Sequence, residues 1–180
     1  MIRLVVIFVA LLQWPAYGGQ DDPRLEPLFQ TLAHTNDTAE ALNAERQIWN
    51  MWLRSGDQNV NAEMARGVAL LNVGDLAAAL RSFDKVIALE PEFAEGWNKR
   101  ATVYYAMGEL QKSVLDIERT VALEPRHFGA FSGLGLIYLA IGDDRAALKA
   151  FERVQAIHPR FGDVAAQVER LRQKIKGRAT

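Results

Sequence analysis

The sequence predicts an all-α fold, a solenoid of helix-turn-helix units with an N-terminal helical extension and a C-terminal capping helix. Three observations predict it. First, the phrase Ala-Leu-Glu-Pro occurs at 88–91 and again at 122–125, 34 residues later. Second, whole rows keep their chemical type at that period: Pro91, Pro125 and Pro159; Gly74, Gly108 and Gly142; Gly67, Ala101 and Gly135; Leu70, Tyr104 and Tyr138; Ala79, Ser113 and Ala147; Phe83, Ile117 and Phe151. Self-similarity at about 34 residues marks a helix-turn-helix array. Third, apolar residues recur at helical spacing within each unit, as in Val103, Tyr104 and Met107, then Val114, Ile117 and Val121. One helix pair cannot bury its apolar face alone, so stacked pairs share a continuous core.

The elements follow in order. Residues 1–18 carry one positive charge (Arg3), an apolar run from Leu4 to Leu12, and Ala-Tyr-Gly at 16–18. The run is far short of the roughly 20 residues that span a bilayer. This pattern predicts a secretory signal peptide cleaved near Gly18 or Gly19, and hence a periplasmic or secreted protein with no integral membrane span after cleavage. Residues 23–59 form an N-terminal helical cap, with a short helix over 23–34 and a longer one over 36–57. Asp37 with Glu40 makes a capping-box pattern at the start of the longer helix, and Gly56 marks its stop. Trp49 and Trp52 lie on that helix's apolar stripe; they either pack on the first repeat or form an exposed partner-binding patch.

Three repeats occupy 60–93, 94–127 and 128–161. In each, the small residue of the Gly67 row permits close helix approach, and Gly74, Gly108 or Gly142 closes the first helix. Asp75, Glu109 or Asp143 then caps or charge-stabilises the second, and proline ends it. Trp97 is expected to anchor the second pair in the core. Residues 162–180 form a capping helix and a basic tail with Arg170, Arg172, Lys174, Lys176 and Arg178. That tail is either a solvated helix face or a contact for anionic lipid or an acidic partner.

The stretches "WNKRATVY" (97–104) and "FSGLGLIY" (131–138), with "AALRSFDKVIALEP" (78–91) and "AALKAFERVQAIHP" (146–159), resemble tetratricopeptide (TPR) repeats. The chain is also similar to small exported TPR proteins of Gram-negative, especially alphaproteobacterial, bacteria. The resemblance implies a right-handed solenoid with a concave groove lined by the first helix of each repeat. On this chain the groove rows would be Asn61, Met64, Val68, Leu71 and Asn72; Glu95, Asn98, Thr102, Tyr105 and Ala106; and Gly129, Ser132, Leu136 and Leu139. Some TPR domains grip a terminal carboxylate with Lys, Asn and Arg. Asn98 and Lys99 match that clamp, whereas Met64, Val68, Gly129 and Gly133 depart from it. The resemblance implies a non-enzymatic exported adaptor for a peptide or protein segment in envelope assembly. The alternative is a structural subunit of an oligomer or larger complex.

Composition excludes other classes. Lys and Arg total 21 against 22 Asp and Glu, a net charge of −1, which gives no general attraction to nucleic acid. Without cysteine there are no disulfides and no thiolate chemistry. His34, His127 and His158 lack metal-ligand spacing, and no phosphate loop or catalytic motif is written, so no cofactor and no enzymatic activity are expected. Arg66 and Arg100 take a row that ends in Leu134. Folding each helix pair about its Gly turn places Arg100 beside Asp116 and Glu118, and Arg66 beside Asp84, so Arg100 is expected to pair with Asp116 or Glu118.

Overall fold

A computed structural model describes residues 18–178. The expected signal peptide, apart from Gly18, lies outside the described residues. After a 3-10 turn at Gly19–Asp21 the helices are α1 (Leu25–His34), α2 (Thr38–Trp52), α3 (Gln58–Asn72), α4 (Leu76–Leu89), α5 (Ala94–Ala106), α6 (Leu110–Leu123), α7 (Phe128–Ala140), α8 (Asp144–Ile157) and α9 (Val164–Gly177). No strand occurs among the described residues.

The repeat rows explain the hairpins. Gly74, Gly108 and Gly142 have φ of 80°, 76° and 79°, the left-handed conformation that ends the first helix of each pair. Asp75 and Asp143 then accept from the backbone N–H of Ala78 and Ala146. Glu109 makes no such bond, its longer side chain leaving charge alone at that N-terminus.

Within each pair the interior is matched by size. A Cβ on Gly67 would fall 2.6 Å from the Phe83 ring, and one on Gly135 would fall 2.6 Å from Phe151. The middle repeat exchanges both partners, setting Ala101 against Ile117. Phe83 is fully buried and Phe151 is 3% exposed, each burial stabilising by about 1.5–3 kcal/mol. α9 covers the end of α8 with Val164, Val168 and Leu171.

The N-terminal helices depart from expectation. They do not sit on the end of the first repeat. They run as a strap along the edge where one repeat joins the next. At the first joint Gln20 Nε2 donates to the Glu92 carbonyl (2.7 Å), and Ala94 N–H donates back to Gln20 Oε1 (3.2 Å). At the second, Arg126 pairs with Glu26 (2.8 Å), and the Trp52 ring stacks on His127 at 4.1 Å with 10° between planes. At the third, His158 Nε2 meets Glu45 Oε2 at 3.2 Å, and Arg160 donates to Asn36 Oδ1 at 3.1 Å. Trp49 and Trp52 both contact Phe128 of the third repeat.

The reason is geometric. α2 must end where α3 begins, and there the Ser55 hydroxyl bonds Glu90 while Ser55 and Asn61 exchange two hydrogen bonds. Pinned at that end, its 15 residues extend about 22 Å toward the third repeat. Buried Phe128 and half-buried Phe161 there supply apolar surface for it to cover.

Smaller expectations are also corrected. α2 stops at Trp52, because Gly56 does not take the left-handed conformation and Asp57 already caps α3. Asp37 caps α2 through Ala39 and Glu40 N–H, but Glu40 reaches Thr35 rather than the Asp37 N–H. Trp97 is half-buried, its indole N–H donating to the Pro91 carbonyl (2.8 Å); the anchor of that joint is Phe93, 1% exposed.

Candidate functional site

The first helices of the second and third repeats, α5 and α7, diverge enough to leave a groove of about 410 Å³. Asn98, Lys99, Thr102 and Tyr105 line it from α5, and Gly129, Ser132, Gly133 and Leu136 from α7. Ile117 and Ser113 of α6 form the floor. Trp49 of the strap and Phe161 also border it. The groove is open there because α7 presents Gly133, where a Cβ would meet only Ile117 Cδ1 at 3.6 Å, whereas at Gly129 the Trp49 ring packs against the bare helix, 2.4 Å from where a Cβ would stand.

Of the residues expected to line the groove, Asn98, Lys99, Thr102, Tyr105, Gly129, Ser132 and Leu136 are brought together. The five from the first repeat are not. Met64 is 2% exposed inside the core with Val60 and Phe83; Val68 and Leu71 pack on that same cluster; Asn72 is exposed at the end of α3, away from the groove. Asn61 is tied to Ser55. The groove is therefore two helices wide, because the first repeat spends its inward side chains on its own core.

Glu95, expected on the groove surface, is 1% exposed beneath it. Its Oε2 accepts from His127 Nε2 (2.8 Å) and Asn98 Nδ2 (3.0 Å), and its Oε1 lies 3.0 Å from Lys99 Nζ. His127 Nδ1 accepts from the Ala130 N–H (3.0 Å), which leaves Nε2 to donate to Glu95. Burial pushes the Glu95 carboxyl up, but the charge of Lys99 and the hydrogen bond from His127 outweigh it and hold the group at about 2. The carboxylate, which can only accept, fixes the Asn98 amide with nitrogen inward. Asn98 is 8% exposed, and its Oδ1 has no partner among the described residues. Ser113 and Thr102 donate their hydroxyls to carbonyls of α5.

Several other cations are committed elsewhere. Arg100 forks onto Asp116 (2.7 and 2.8 Å), as the sequence indicates, and also reaches Asp84 at 2.8 Å. Its hydrogen bonds to Asp116 raise its pKa further. Asp84 is thereby shared with the next repeat and not with Arg66. Arg170, Arg172, Lys174 and Arg178 of the basic tail pair with Asp163, Glu152 and, for the last two, Asp144. Among the described residues no three His, Cys, Asp or Glu side chains are grouped to hold a metal ion.

The sequence reading missed Trp49, Phe161 and the α6 floor as groove walls. It also missed the His127–Glu95 pair. A signal existed: His127 stands between Phe93 and Phe161 at the 34-residue period, an aromatic row whose rings meet the strap.

The family model for the tetratricopeptide repeat matches residues 64–116 and 98–160, together more than half of the chain. The chain belongs to the tetratricopeptide repeat family. A TPR repeat-containing protein of Rhizobium etli is 38% identical over 84 residues, covering 47% of this chain and 41% of that protein. This TPR chain therefore matches less than half the length of that relative. Among solved structures, the first TPR of Spaghetti (RPAP3) bound to the HSP90 peptide SRMEEVD superposes with a TM-score of 0.62 at 20% identity, covering 66% of this chain and 94% of that one. MamA superposes with a TM-score of 0.61 at 20% identity, covering 79% and 87%. At such identities the likeness is one of fold. No described helix is long and apolar enough to cross a membrane.

Proposed function

We propose that this TPR protein is a non-enzymatic, exported adaptor that seats a segment of another protein in the α5–α7 groove and works in envelope assembly. The observation that carries the reading is the groove itself, an open concavity with one unpartnered amide oxygen among apolar and hydroxyl groups. Such a lining suits an extended or helical protein segment. The solved RPAP3 repeat bound to an HSP90 peptide supports peptide binding as a use of this fold. Export rests on the pattern of residues 1–18. The test is capture from envelope extract with the wild type and with Asn98→Ala and Tyr105→Ala. Partners should be lost from both variants, and identical partner sets would refute the groove. Recovery of the full-length chain from a cytosolic fraction would refute export.

One observation favours the structural-subunit reading. Val73, Met107 and Ile141 hold the same repeat position just before each turn glycine, and all are exposed, by 78%, 44% and 59%. Light scattering on the mature protein tests this; a strict monomer at high concentration excludes self-assembly through that stripe.

A further inference from the structure

Resting on the groove reading above, we propose that the site takes an uncharged stretch inside a partner chain, anchored by an apolar side chain and hydrogen-bonded through its main chain to Asn98, and not a chain end presented as a free carboxylate. Lys99 is the one cation among the groove-lining residues, and its ammonium is already 3.0 Å from Glu95. Glu95 is buried, so drawing Lys99 to an incoming carboxylate would leave an interior charge uncompensated. His127 is buried and already bonded to Glu95, so it offers nothing to a carboxylate in the groove. Arg100, next on α5, is held by Asp116 and Asp84. A bound carboxylate would thus gain no free counter-charge.

The remaining groups fit a neutral occupant. Asn98 Oδ1 is held in place by the Nδ2–Glu95 bond and accepts a partner's peptide N–H. A Cβ on Gly133 would rest 3.6 Å from Ile117 Cδ1 in ordinary contact, with no closer atom. The space beyond is the part of the groove that a Leu or Phe side chain from the partner fills, between Ile117, Leu136 and Trp49.

Two peptide libraries displayed on phage test this, one presented internally and one ending in a free C-terminus, each selected on the protein from Gly18 onward. Selected sequences are synthesised with a free and with an amidated C-terminus. We expect binders from the internal library that contain an aromatic or large aliphatic residue. Their Kd should change less than about twofold on amidation, and should weaken at least about tenfold with Asn98→Ala and with Gly133→Leu. Between about 50 and 500 mM salt the Kd should hold within about threefold, a measurement that needs no variant. Binders from either library that lose about tenfold or more on amidation or in high salt overturn this proposal while leaving the groove in place. Binders insensitive to both substitutions in folded protein, or no binders at all, overturn the groove reading itself.

Discussion

Two glycines on one helix should respond to the same substitution with opposite sign. Gly133 and Gly135 both lie inside α7. Replacing either with Ala removes the helix penalty of glycine, a gain of about 0.8–1.0 kcal/mol. At Gly133 the new methyl meets Ile117 at 3.6 Å and disturbs nothing, so the whole gain should appear. At Gly135 it would stand 2.6 Å from Cε1 and Cζ of Phe151, whose ring is 3% exposed and has nowhere to move. Overpacking of that kind costs about 1–3 kcal/mol. Both variants share the propensity gain, so the gap between them isolates the clash at about 1–3 kcal/mol, a difference in Tm of several degrees. Urea unfolding measures it, provided the slope of ΔG on urea is unchanged. Gly135→Ala should be better tolerated beside Phe151→Ile, since that pair copies Ala101 against Ile117 in the second repeat. Equal stabilisation by the two single variants would refute the size-matching account, as would a cost of Gly135→Ala that ignores residue 151.

The second repeat can also be rewritten in the image of the third. Arg100→Leu alone strands Asp116, whose side chain is 6% exposed, and should destabilise by about 1–3 kcal/mol. Adding Asp116→Ala reproduces Leu134 with Ala150 and should recover most of that loss; a double variant as unstable as the single one would refute the pairing. Acid titration tests the groove network. The folded Glu95 carboxyl, at about 2, sits below its ordinary 4.5, so its contribution is complete above about 4.5 and is lost as pH falls toward 2. Burial lowers the His158 pKa, so protonation of the unfolded chain below 6.5 acts in the same direction. Denaturant melts between pH 7 and 3 should show Glu95→Gln losing stability more gently with acid than the wild type; parallel slopes below about 4.5 would overturn the assignment.

Much of the architecture is legible in the sequence because the repeat writes it three times. The glycine turns, the pairing of Gly67 and Gly135 with aromatic rings, and the Arg100–Asp116 pair all lie within one helical hairpin. Their geometry follows from helix pitch and a turn of set conformation. Half of the groove is readable for the same reason, since residues of the first helices share an inward face. What sequence alone does not carry is the contact between segments that share no period. Glu26 meets Arg126 across 100 residues and Glu45 meets His158 across 113. Only folding shows that the strap runs along the joints, that Trp49 borders the groove, and that Met64 is core. The charge of the groove is divided between the two classes. Glu95 and Lys99 stand four apart on α5, a pairing that helix spacing offers by itself, but only folding buries that carboxylate against His127 and turns the lysine into an internal counter-ion.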